Sequence, residues 1–327
     1  WIQLDSEAAR KAVDFLEKRR SGTMTLAEAF RTALTTNRAE AGLSVLGMSG
    51  TSWVGLLLEQ SPTQKINELP QPKEFGGTLR PYQLRGLEWL SFLDGIGLGG
   101  CLADDMGLGK TIQLIALMLH ERREVLQRNG TTAAPAPASL GPTLLFSPTS
   151  VVGNWVRELA RFAPHLKVLI HHGPERLRGD TFVNAANAAD VVLTSYALAH
   201  RDLEDFKKPA WRRLALDEAQ KIKNPFAAST MAIRSLVAPR RVALTGTPIE
   251  NHLSELWSIM EVLNPGLLGG ASDFRERFAV PIEKLGDRDR AEQLRRLIRP
   301  FVLRRTKADP AVAGDLPEKL EMKVFCN

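Results

Sequence analysis

The chain has 327 residues, enough to bury one full-sized core with a smaller unit beside it, which excludes a peptide or a linker. Its 43 Lys and Arg against 37 Asp and Glu give a net charge of +6, basic but well short of a protein that holds nucleic acid by charge alone. Two cysteines, Cys101 and Cys326, lie far apart, which argues against a disulfide scaffold or a cysteine metal knuckle and fits a reducing cytoplasm; no apolar run approaches the length of a membrane span.

The first part of the chain reads as helical. Ser6 to Arg20 spaces Ala9, Ala12, Val13 and Leu16 at helical intervals and is stopped by Ser21-Gly22. Thr25-Leu26-Ala27-Glu28 is a capping box for a second helix through Ala29, Phe30, Ala33 and Leu34, and Trp53 to Glu59 is a third. Ser61-Pro62 and Leu69-Pro70-Gln71-Pro72 then form a linker, so residues 1–72 are expected to be a helical accessory segment without catalytic groups. Leu79-Arg80-Pro81-Tyr82-Gln83 enters a helix with Pro81 in its first turn and a stripe of Leu84, Leu87, Leu90 and Leu93, widened by Trp89 and Phe92.

From Gly99 onward short apolar runs alternate with amphipathic helices, the pattern of an α/β fold whose parallel sheet is covered on both faces. Strands are predicted at Gly100–Ala103, Thr143–Ser147, Lys167–His171, Asp190–Thr194, Arg213–Asp217 and Arg240–Thr245. Arg128 to Pro142, rich in Ala, Pro, Gly and Thr, reads as a solvated loop. His171-His172 has no cysteine or carboxylate at ligand spacing, and no metal site is expected there.

The chemistry gathers after the strands. Asp104-Asp105-Met106-Gly107-Leu108-Gly109-Lys110-Thr111 joins a strand to a helix, as a phosphate cradle requires, although Asp104 stands where the general pattern has its first glycine. The backbone of Met106, Gly107, Leu108 and Gly109 would wrap a triphosphate, Lys110 would meet its β and γ phosphates, and the Thr111 hydroxyl would hold Mg²⁺. Leu214-Ala215-Leu216-Asp217-Glu218 delivers two carboxylates, Asp217 for Mg²⁺ and Glu218 for the attacking water. The amide of Gln83, at a helix N-terminus, carries the donor and acceptor that match adenine. Thr245-Gly246-Thr247-Pro248 offers two hydroxyls on a glycine turn, which fit either a sensor of the γ phosphate or a helix cap. Ser147-Pro148-Thr149-Ser150 and Thr194-Ser195-Tyr196 complete a set of polar turns on the edge where open α/β sheets bind ligands.

In this order these stretches resemble motifs Q, I, Ia, Ib, II and III of the Snf2 (SWI2/SNF2) branch of superfamily 2, and Phe301-Val302-Leu303-Arg304-Arg305-Thr306-Lys307 resembles the family's exit from its first RecA-like lobe. Asp104 matches the family's own variant of the phosphate loop. Residues 1–72 resemble, more weakly, the helicase-associated region of bacterial members. The resemblance implies an ATP-driven motor on double-stranded DNA, with ATP and Mg²⁺ as cofactors and a RecA-like lobe spanning 73–327. It assigns Arg80 and Gln83 to the nucleotide, and Thr245, Gly246 and Thr247 to coupling. Pro148, Thr149, Ser150, Thr194, Ser195 and Tyr196 go to the DNA backbone. It also implies a second RecA-like lobe in the same protein and a cytoplasmic location, nucleoid-associated if the source is bacterial. A start at Trp1 without a methionine and an end at Asn327, just after the strand-like Met322-Lys323-Val324-Phe325-Cys326, read as one piece of something longer. An RNA-remodelling helicase and an interaction module without turnover are the alternatives. Separately, Arg275 to Lys307 carries eleven basic residues against five acidic ones, in a helical extension at about 266–310 that fits either a solvated face or a DNA-facing one.

Overall fold

Strands buried on both faces need no polar alternation, and that is how this sheet is built: Thr143–Ser147 (β2), Val191–Ser195 (β4) and Arg213–Asp217 (β5) are buried at every position. In the computed structural model, which describes residues 68–128, 141–247 and 252–314, these join Gly100–Leu102 (β1), Val168–His171 (β3), Arg240–Leu244 (β6) and Val302–Leu303 (β7). The order is β3-β4-β2-β5-β6-β1-β7, with every pairing parallel. The expected α/β, RecA-like architecture is therefore present, with three of the six predicted strands one residue shorter at one end and a fourth, β4, displaced by one residue at both ends. β7 is an addition that the sequence reading missed. The expected helices before residue 60, the loop core at 129–140, Pro248 and the strand-like stretch at 322–326 lie outside the described residues.

The helices follow the predicted alternation: α1 (Pro81–Gly95), α2 (Lys110–Arg128), α3 (Thr149–Phe162), α4 (Gly179–Asn187), α5 (Tyr196–Arg201), α6 (Leu203–Phe206), α7 (Ala228–Ser235) and α8 (Leu253–Leu263). The basic extension holds α9 (Ala271–Phe274), a π turn at Arg275–Ala279, α10 (Val280–Leu285) and α11 (Arg288–Ile298), and α12 (Pro310–Ala313) follows β7. Leu87, Leu90 and Leu93 are buried as the stripe requires, while Leu84 packs on the core's edge.

Two devices fix the frame. At the N-terminal ends of the strands the fully buried Arg213 is held between Asp94 of α1 and Glu121 of α2, the latter at 2.6 Å. Burial pushes Asp94 up to about 6; it also opposes ionisation of Glu121, but Arg213 outweighs it and holds that carboxyl down to about 2. At the same end of the sheet the Asn264 side chain exchanges two hydrogen bonds with the backbone of Gly99, 2.8 and 2.9 Å, and pins the end of α8 to the start of β1. Leu69 and Gln71 already bond to the lobe, through Glu88 and through Leu79 and Gly77, and Phe75 stacks on Phe162 at 5.2 Å.

Candidate nucleotide site

Register brings the chemistry together. Leu102 pairs with Leu244, and Leu244 with Asp217, so the phosphate loop, the Thr245 turn and the acidic pair leave three adjacent strands at the same level. Thr245 N donates to Leu102 O at 3.1 Å, which ties the first two turns directly.

Within the loop, Gly107 and Gly109 have φ of 86° and 77°, a backbone region that side chains with a Cβ rarely adopt. Lys110 opens α2 and its Nζ donates back to the carbonyls of Asp104 and Asp105, at 2.7 and 3.2 Å, so the ammonium spans the loop's mouth. Burial lowers its pKa; the charges of Glu218, Asp104, Asp217 and Asp105 oppose that, which places both members of the acidic pair within electrostatic reach of the lysine. Thr111 is half-buried on the first turn of the same helix. Met106 is exposed and sits over Gly246, where an added Cβ would lie 3.3 Å from its Cγ. Leu108 is buried, and its carbonyl accepts from the Tyr82 hydroxyl and the Gln83 amide, both at 3.2 Å. The Gln83 Oε1 accepts from Arg80 N at 2.9 Å, so this amide braces the loop against α1, and an adenine contact requires it to exchange partners. Arg80 itself is exposed beside the loop.

Asp217 ends β5 in a buried position, where Oδ2 accepts from the Trp155 indole at 2.7 Å and Oδ1 from Glu218 N at 3.0 Å. Burial raises its pKa, the Trp155 hydrogen bond opposes the rise, and the Glu218 charge adds to it. Glu218 has φ of 50°, the one non-glycine residue with positive φ among those described. A left-handed glutamate costs of order 1–3 kcal/mol and persists only where its surroundings hold it. Here the turn into the Ala219–Ile222 3₁₀ helix holds it, and Gln220 Nε2 donates to its Oε2 at 2.8 Å. The same Gln220 accepts from the buried Thr245 hydroxyl at 2.8 Å, and Thr247 N donates to that hydroxyl at 3.1 Å. A hydrogen-bonded chain thus runs from Glu218 to Thr247.

Of the turns given to nucleic acid, Pro148 is half-buried and Thr149 and Ser150 are exposed at the start of α3. The side chains of Thr194, Ser195 and Tyr196 are buried, and the Tyr196 hydroxyl donates to the carbonyl of Asp217 at 2.7 Å. His171 pairs with Asp202 at 3.0 Å, and no group of three or more potential metal ligands occurs among the described residues.

Sequence reasoning gave no role to Trp155, to Gln113 or to the side chain of Arg305. The Arg305 guanidinium binds the fully buried Asp104, with Nε to Oδ1 at 2.9 Å, reaches the Tyr82 carbonyl, and donates to Gln113 at 2.9 Å. The odd residue of the phosphate loop is thus half of a buried ion pair. The one visible signal was Asp104 at a glycine position; its partner is 201 residues away.

Comparison with known proteins agrees with this geometry. The model of the SNF2-related domain matches residues 82–327. The putative ATP-dependent helicase/translocase YwqA of Bacillus subtilis is 43% identical over 337 residues, spanning 99% of this chain and 35% of its own. The chromatin-remodeling ATPase INO80 of Homo sapiens is 34% identical over 303 residues, covering 88% and 18%. The solved SWI2/SNF2 ATPase core of Sulfolobus solfataricus in complex with dsDNA superposes with a TM-score of 0.67 at 43% identity, over 80% of this chain and 51% of that one. The chain therefore spans about a third of the length of its bacterial relative and half of the solved core.

Proposed function

This chain belongs to the SNF2-related domain family, and from that premise we propose that it is the nucleotide-binding lobe, at 73–327, of an ATPase that moves along double-stranded DNA, with residues 1–72 as an accessory segment. The observation that carries the reading is the convergence of Lys110, Asp217 and Glu218 at one rim of the sheet, from turns far apart in sequence.

The donor set suits the implied metal: a carboxylate at Asp217 and a hydroxyl at Thr111 are hard oxygen ligands beside a phosphate cradle. Bound there, Mg²⁺ supplies positive charge to the β and γ phosphates of ATP. Lys110 adds a cation to the same phosphates, and the backbone of Met106 to Gly109 wraps them. Glu218, held by Gln220, orients water for attack on the γ phosphate. Arg80 and Gln83 meet the nucleotide. The chain through Gln220, Thr245 and Thr247, across Gly246, reports occupancy to neighbouring surfaces. Pro148, Thr149 and Ser150 meet the DNA backbone at the start of α3. Thr194, Ser195 and Tyr196 lie buried beneath the same surface, so contact between this turn and the DNA backbone requires the elements above it to move. Phosphate contacts of this kind position a motor without reading sequence.

Charge on the transferring phosphoryl group needs cations from a second RecA-like lobe, and an arginine of that type is worth roughly 10³–10⁵ in rate. Residues 1–327 alone are therefore expected to bind ATP and hydrolyse it slowly. The proposed location of the working protein is the cytoplasm, on the nucleoid if the source is bacterial. The test is ATPase activity of the intact protein with duplex DNA and with RNA. We expect stimulation by the duplex, and a Glu218→Gln variant that binds ATP but loses turnover by at least a hundredfold. Stimulation by RNA alone would favour an RNA helicase, and wild-type turnover in Glu218→Gln would favour an interaction module.

A further inference from the structure

Asp217 stands at a boundary in the sheet. On one side of β5 lie β6 and β1, with the Thr245 turn and the phosphate loop; on the other lie β2 and β4, with the two turns given to DNA. The elements that follow β2 and β4 both reach across to this residue. Trp155, fully buried on the second turn of α3, donates its indole N–H to Oδ2 at 2.7 Å; Tyr196, the first residue of α5, donates its hydroxyl to the Asp217 carbonyl at 2.7 Å. Each carboxylate oxygen has two lone-pair directions, and with one of each taken by Trp155 and Glu218 N the remaining pair is set in orientation.

We propose that Trp155 is a positioning residue for the magnesium-binding carboxylate, and that α3 carries the effect of duplex DNA at Pro148–Ser150 to the metal site through that indole. The inference rests on the preceding reading, in which Asp217 binds Mg²⁺ and the start of α3 meets DNA. An indole has two torsions and this one is packed on all sides, so a shift of the helix moves the donor by the same distance. Thr149 and Ser150, at the start of the same helix, are exposed, which leaves the sensing end in solvent and the reporting end in the core. Groups that hydrogen-bond a metal's ligands typically control metal affinity by 10–100-fold.

The experiment is a Mg²⁺ titration of the intact protein with a fluorescent non-hydrolysable ATP analogue, read as binding, with and without a blunt duplex. In the wild type we expect the duplex to lower the Mg²⁺ concentration at half-saturation. Trp155→Phe should raise that concentration about tenfold and abolish the duplex-dependent shift, while analogue binding in EDTA stays unchanged. Replacing Trp155 by 3-benzothienylalanine, which keeps the bicyclic shape and puts sulfur in place of the N–H, should do the same without opening a cavity. A half-saturation that stays at the wild-type value in both variants would overturn the positioning role. A duplex shift that survives in them, or is absent from the wild type, would overturn the transmission through α3. Asp217→Asn separates the two levels: if it too leaves the Mg²⁺ dependence unchanged, the metal assignment itself fails.

Discussion

At the scale of single residues, the most exacting contact is Arg305 with Asp104. A fully buried carboxylate at the mouth of a phosphate cradle would repel the ligand and pay the full cost of desolvation unless it were paired, and the guanidinium pairs it through two of its nitrogens. Removing one partner of such a pair is costly because the other stays buried and charged. Arg305→Met should therefore lose about 3–5 kcal/mol in denaturant unfolding, and adding Asp104→Asn should recover part of it. If the two losses simply add, the residues are not coupled. None of this was legible beforehand. Asp104 showed as a departure from a pattern, and Arg305 as one of several basic residues in a tail; only the β1–β7 pairing brings them together. Lys110, Asp217 and Glu218 were legible because each sits in a short motif whose chemistry fixes residue type and spacing. The left-handed backbone of Glu218 was not, since glutamate has no local preference for it.

At the scale of elements, strands of the sheet's centre could be read because burial on both faces makes them continuous apolar runs. β7 could not, because two residues form a strand only by pairing with β1. The other edge strand, β3, carries an interaction that the adjacent histidines did not disclose. His171 is buried against Phe182 and Phe206, and its Nε2 meets Asp202, which also takes a forked contact from Arg176. Burial holds His171 below its ordinary value of 6.5; Asp202 and Asp205 oppose this, and Arg176 adds to it. Below about pH 6.5 the unfolded chain takes up a proton that the folded ring refuses, so stability falls as pH drops through that point, by at most ~1.4 kcal/mol per pH unit from one group. Burial opposes ionisation of Asp202, but Arg176 and His171 outweigh it and hold the carboxyl below its ordinary 3.8, so its contribution is lost only at still lower pH. Denaturant unfolding across pH 5 to 8 should show the decline beginning near 6.5, and His171→Gln, which keeps an N–H for Asp202 but cannot titrate there, should remove it. A decline unchanged in that variant would assign it to another group.

For the whole molecule, the parallel sheet sorts its work by end. The N-terminal ends of the strands hold the Arg213 cluster, which ties α1, α2 and β5 into one frame, and the C-terminal ends hold the rim where nucleotide and DNA are proposed to meet. The basic extension lies outside this division. In α11, Leu294 and Leu297 face inward, while Arg295 and Arg296 are about 70% exposed and share Glu292 at 2.9 and 3.2 Å. Exposed pairs of this kind are worth less than ~1 kcal/mol, so the arginines exchange partners readily for phosphates. Arg299, at the end of the helix, is exposed too. If this face meets the duplex, Arg295→Gln, Arg296→Gln and Arg299→Gln together should flatten the dependence of log affinity on log salt by about 0.9 for each phosphate no longer neutralised, roughly 3 in all. The unfolding midpoint should hardly move, since none of the three is buried. Duplex titrations of the intact protein at several salt concentrations read the slope directly, and a triple variant with the wild-type slope would confine the DNA surface to the rim at α3.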